Sequence, residues 1–176
     1  MRKRLGVFAT ALVLAATGLG GTSAVASSSS SSATCGVNAK VKIKPGITQT
    51  PSQGTIASAK HSTITCEGTI KNKQVNGEGP ISFSGTYGAM GGDTCDQGAG
   101  SGTFTASVPK SNGGMLTVKG KFTFTRAGAE VVLQGKVRHH GGAVNGSLAF
   151  APDPGQDCVS TPVTSATVAG DVTIQG

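Results

Sequence analysis

The sequence predicts an all-β domain, a single antiparallel meander of eight or nine strands closing as an up-and-down β-barrel; a two-sheet β-sandwich is the alternative. Three observations lead there. First, six times a glycine sits at the centre of an alternating apolar pattern: Phe83-x-Gly85-x-Tyr87, Val118-x-Gly120-x-Phe122, Leu133-x-Gly135-x-Val137 and Val144-x-Gly146-x-Leu148, with further copies around Gly68 and Gly170. Strand side chains alternate faces, so each glycine shares the buried face with its apolar neighbours, where it marks a bend or a close approach. Second, no segment after the amino-terminal leader has helical periodicity. Third, the alternating runs in the middle of the chain are joined by short turn-like connections, the pattern of a meander.

The elements follow in order. Val37, Ala39, Val41 and Ile43 alternate with Asn38, Lys40, Lys42 and Lys44 as a half-buried strand that Pro45-Gly46 ends. A short strand over Thr55 to Ala59 precedes stronger ones at Thr63 to Lys71, Pro80 to Tyr87 and Gly102 to Val108. Leu116 to Thr125, Glu130 to Arg138, Ala143 to Phe150 and Val163 to Ile174 complete the set. The longer segments Gly88 to Ser101 and Ala151 to Pro162 keep the sandwich open, because they could cross between sheets.

Turn chemistry sets an expected register. Asn76-Gly77 suits a type I′ turn, which would place Ile70 opposite Phe83 and Gly68 opposite Gly85. A turn at Ala127-Gly128 would pair Phe124 with Val131, Phe122 with Leu133 and Gly120 with Gly135. A turn near His140-Gly141 would set Gly135 against Gly146 and Leu133 against Leu148, and one at Gly141-Gly142 would shift this by two. The glycines then form a transverse row, read first as the place where the wall bends and second as a belt that leaves room inside.

Residues 1–26 have the parts of a secretory signal: basic Arg2-Lys3-Arg4, an apolar run from Leu5, and Ala24-Val25-Ala26 before the cut. Residues 27–36 read as a serine-rich flexible linker and 37–176 as one disulfide-stabilised β domain. The expectation is a secreted, extracellular protein with no membrane span once the signal is gone. The whole chain carries 15 basic and 8 acidic residues, net +7; without the three leader cations the balance is +4. Much of the basicity is therefore export signal.

Four cysteines in an exported chain imply two disulfides, and their positions favour Cys35 with Cys66 and Cys95 with Cys158. A zinc site is the poorer reading because no C-x-x-C pair is present. Half of the acidic residues flank the second pair: Asp93 and Asp96 beside Cys95, Asp153 and Asp157 before Cys158. The disulfide would draw these four carboxylates together, and a hard cation such as calcium would relieve their repulsion, although the spacing matches no calcium-loop signature. Otherwise no cofactor is expected.

Catalytic groups are sparse. His139-His140 occupies an expected hairpin tip, adjacent strand residues point to opposite faces, and His61 is the only other histidine. There is no G-x-S-x-G elbow, and the cysteines are used as disulfides. The chain therefore reads as a non-enzyme. Lys119, Lys121, Lys136 and Arg138 share an outward surface, with Lys119 expected to face Lys136, and Lys40, Lys42 and Lys44 form another row. Opposed like charges suit a polyanionic partner, but no aromatic residues interleave with them, so nucleic acid is not expected.

The layout is similar in outline to avidin-like and lipocalin-like barrels, with no family motif to support more. Trp is absent and Tyr87 is the single tyrosine, so the aromatic-walled pocket of such binders is not expected. The leading expectation is a binding module for an extracellular macromolecule, whether envelope polymer, glycan or protein. The alternatives are a carrier of a small apolar ligand in the lumen and a hydrolase using the aspartate cluster.

Overall fold

Alternation carries most of the described residues into strands. The computed structural model describes residues 31–89, 91–138 and 142–176. The leader, the first residues of the linker and the His139-His140 tip lie outside them. Nine strands are present among the described residues: β1 Ser32–Ile47, β2 Gly54–Ser58, β3 Thr63–Ile70, β4 Lys73–Tyr87, β5 Gln97–Pro109, β6 Met115–Ala127, β7 Glu130–Val137, β8 Ala143–Pro152 and β9 Val163–Gln175. All pairings are antiparallel, and β1 pairs with β9, so the hydrogen bonds close in a ring.

The ring has eight positions because β2 and β3 share one. β3 pairs with the first half of β1 and β2 with the second half, and both pair with the long β4 on their other side. Between them Ile81 N–H donates to Ser62 O and Phe83 N–H to Ser58 Oγ, each at 3.0 Å. Ser32 to Gly36, assigned to the linker from sequence, belong to β1. Their inward positions Ala33 and Cys35 are buried, and an alternating segment with a partner on each side is held as strand. β1 also runs through Pro45-Gly46 to Ile47, where its register against β9 shifts.

Three hairpin registers differ from those read off the turns. The β3–β4 turn is Lys71-Asn72, both with positive φ (51° and 57°), so Gly68 faces Val75 and not Gly85. A turn at Asn76-Gly77 would have sent Asn72 and Gln74 inward and Val75 outward; the observed turn buries Val75 and leaves Asn72 and Gln74 exposed. The β6–β7 turn is Gly128-Ala129, one residue later than expected, which sets Phe122 opposite Gly135 and Phe124 opposite Leu133. It is anchored by Gly128 N–H donating to Asp96 O on the neighbouring loop and by Gly128 O accepting from Arg126 of β6 itself. β7–β8 shifts likewise: Leu133 faces Gly146 and Gly135 faces Val144.

Apart from Gly85 opposite Gly102, and Gly68 with Ala33 on one side, these glycines face bulky residues, and no continuous glycine row forms. They leave free the volume that neighbouring rings need. A Cβ at Gly102 would stand 2.7 Å from Phe122 Cζ, and one at Gly100 would stand 2.5 Å from Phe124 Cε1. Small against large is the close-packing solution for a narrow barrel.

The two ends are finished differently. At one, Ala33, Cys35, Cys66, Ile70, Val75, Ala106, Val108 and Val118 are all at most 2% exposed and fill the interior. The Cys35–Cys66 disulfide crosses directly between β1 and β3 there. The other end carries the loops 88–96 and 153–162, tied by Cys95–Cys158. Both pairings are those favoured from sequence.

Candidate functional site

Inward positions toward the looped end are occupied by phenylalanine. Phe83 on β4, Phe104 on β5, Phe122 and Phe124 on β6 and Phe150 on β8, together with Tyr87, line a cavity of about 120 Å³ inside the barrel. The remaining wall is aliphatic, including Val41, Ile43, Ile56, Ile81, Leu133, Leu148 and Val168. Phe83, Phe104, Phe124, Leu133, Ile56 and Ile81 keep accessible surface although they point inward, so side chains do not fill this part of the lumen. The expectation that no aromatic-walled pocket exists is corrected: it considered Trp and Tyr, whereas every phenylalanine outside the leader lines this wall. Phe83 and Phe122 meet edge to face, centroids 6.1 Å apart.

Two charged residues complete the lining. β6 presents Phe122, Phe124 and then Arg126 on its inner face, and Arg126 is 95% buried, with 5% exposed. Its terminal nitrogens donate to loop carbonyls: Nη1 to Cys95 O at 2.8 Å and Gly128 O at 2.9 Å, Nη2 to Gln97 O at 3.3 Å and to Thr94 O. The guanidinium carbon lies 5.2 Å from the Phe150 ring centroid. Arg126 Nε is buried with no hydrogen-bond partner. Arg126 also lines a second, outer pocket with Thr94, Asp96, Asp157 and Val159, so it stands between the lumen and the loops. Burial draws its pKa down, against the pull of Asp93 and Asp96, yet arginine stays a cation.

Asp93 is 1% exposed and also lines the cavity. Its backbone bridges Ser52, and its Oδ1 accepts from Ala99 N–H at 2.9 Å. A side chain at position 98 would run into its carboxyl group, which is why glycine is there. Burial pushes the Asp93 carboxyl up, opposed by the Ala99 hydrogen bond and by Arg126. Tyr87, 2% exposed, donates its hydroxyl to Pro45 O, and burial raises its pKa.

The four aspartates singled out from sequence have separate occupations. Asp93 is inside the mouth of the barrel, and Asp96 is exposed on the loop. Asp153 accepts from Ser165 Oγ at 2.6 Å and pairs with Lys40 at 3.0 Å, and these hold its pKa below the usual range. Asp157 caps its own loop, accepting from Ser160 Oγ and from the N–H groups of Val159, Ser160 and Thr161, which hold its pKa at about 2. No three His, Cys, Asp or Glu side chains come together as a metal site among the described residues.

The basic surface is tighter than expected and differently paired. Lys121 faces Lys136, and Arg138 N–H donates to Lys119 O, so the four cations form a two-by-two block on the outer face of β6 and β7. All four are exposed. The earlier pairing of Lys119 with Lys136 fails by the same two-residue shift that moves the hairpin. Sequence reasoning missed Arg126, although one signal was available: it continues the inward alternation of Phe122 and Phe124. No family model matches the chain, and no curated protein or solved structure matches it at a significant level.

Proposed function

We propose that this protein is a secreted, non-enzymatic carrier that holds a small apolar molecule in its barrel. The observation that carries this reading is the unfilled lumen of about 120 Å³ walled by five phenylalanines. An apolar cavity of similar size, roughly 150 Å³, is known to stay dry and take benzene or xenon. The ligand is accordingly of single-ring or short-chain size. The leader pattern and the two disulfides support an extracellular setting.

The test is toluene and xenon. Toluene is expected to raise the midpoint of thermal unfolding and to shift the methyl resonances of Leu133 and Leu148. Xenon is expected to bind in the cavity, against the faces that Phe83 and Phe122 turn to it. Absence of both effects defeats the carrier reading. The block of Lys119, Lys121, Lys136 and Arg138 favours a second reading, a surface that binds an extracellular polyanion. Binding to a polyphosphate or sulfated polymer that weakens with salt and is lost in Lys121→Glu/Lys136→Glu would support it.

A further inference from the structure

We propose that the lumen selects a neutral molecule with one hydrogen-bond acceptor, taken by the Nε–H of Arg126, over a pure hydrocarbon. This rests on the carrier reading and adds the chemical class of the cargo. Four of the five N–H groups of the guanidinium are consumed by the carbonyls of Thr94, Cys95, Gln97 and Gly128. The fifth, on Nε, has no acceptor although the side chain is 95% buried, with 5% exposed. A buried donor left unmade is costly, more so on a charged group, so a molecule that brings an acceptor recovers that loss. Arg126 lines the same cavity as the phenylalanines, and its Nε, closed off in the empty barrel, is reached by a molecule that lies against the rings and parts the lining side chains slightly.

Charge decides between acceptors. Asp93 and Asp96 already act on Arg126, so a carboxylate ligand would add a third negative charge beside one cation, in a cavity otherwise lined by apolar groups. A carbonyl, as in a ketone or ester, satisfies Nε–H without that penalty. The Cys95–Cys158 disulfide and the four carbonyl contacts hold the guanidinium still, so the donor is positioned before the ligand arrives.

Cyclohexanone and its hydrocarbon isostere methylenecyclohexane separate the possibilities, using the full oxidised domain. The ketone is expected to bind at least about tenfold better, relative to the hydrocarbon, than their partition between water and alkane would dictate, the gain of a hydrogen bond to a charged donor. In nitrogen-15 spectra the Arg126 Nε–H resonance is expected to move with cyclohexanone and stay with methylenecyclohexane. Binding of both with no excess preference and a still Nε–H overturns the acceptor proposal while leaving the carrier intact. Binding of neither overturns both. The spectroscopic arm needs no substitution at Arg126, whose removal would strand four loop carbonyls and endanger folding. Cyclohexanecarboxylate binding more tightly than the ketone would overturn the choice of a neutral ligand.

Discussion

The two ends of this barrel use the same alternation to opposite effect. At the Cys35–Cys66 end the inward residues Ala33, Ile70, Val75, Ala106, Val108 and Val118 are all at most 2% exposed, and they fill the bore. Toward the Cys95–Cys158 end Phe set against Gly shares the wall with Val and Ile, and a cavity remains. Several β-branched side chains of moderate size can meet at the axis from eight directions. A ring that folds over the glycine of the next strand lies along the wall instead of reaching across. Burying apolar surface and filling space are therefore separable, and here the same pattern does both at one end and only the first at the other.

Matched truncations should show the largest contrast. Ile70→Ala at the filled end is expected to cost about 4 kcal/mol in urea denaturation, whereas Ile81→Ala beside the cavity should cost about 2 kcal/mol, because fewer contacts are lost. Equal costs would mean that the lumen is as well packed as the closed end. Enlargement should reverse the ranking of tolerance. Val118→Phe is expected to destabilise by roughly 2 kcal/mol, while Leu133→Phe should stay within about 1 kcal/mol and abolish toluene binding. Loss of stability in both, or toluene still binding to Leu133→Phe, would break the distinction.

The smallest effect concerns acid. Asp157 on the loop of the hollow end has its pKa lowered from 3.8 to about 2, so its folded form binds protons less readily than the unfolded chain. Its contribution is complete above its ordinary pKa and is lost as pH falls from about 3.8 toward 2. Asp93 acts in the opposite sense: burial raises its pKa, so its ionisation opposes folding as pH rises through the raised value. Asp157→Asn is expected to flatten the acid limb of the stability curve, read by denaturation between pH 4 and 2. An unchanged limb would remove Asp157 as the acid-sensitive hold on the mouth.

How much was legible varied with the range of the cause. Strand positions and inward faces depend on period-two alternation, a local property, and residues such as Val37, Phe83, Leu133 and Val144 were placed on the face the structure shows. Register was not legible, because Asn76-Gly77 is a strong turn signal locally but loses to the burial of Val75. The site was partly legible. The rings were present in the sequence, but that they share one cavity with Arg126 depends on how the hairpins slide.

The sequence by itself determined the all-β class and favoured the disulfide pairing found, one of three possible, because alternation and cysteine placement act along the chain or between few positions. It also determined that the wall would be made of glycine set among large apolar side chains. Only the tertiary structure decided that Gly102 lies under Phe122 and Gly100 under Phe124, and that Arg126 ends inside the mouth with one donor unmet. The glycine contacts depend on the register of β5 against β6, which a two-residue slide would change. Such a slide leaves every inward residue inward, so periodicity cannot detect it, yet it changes which side chains meet.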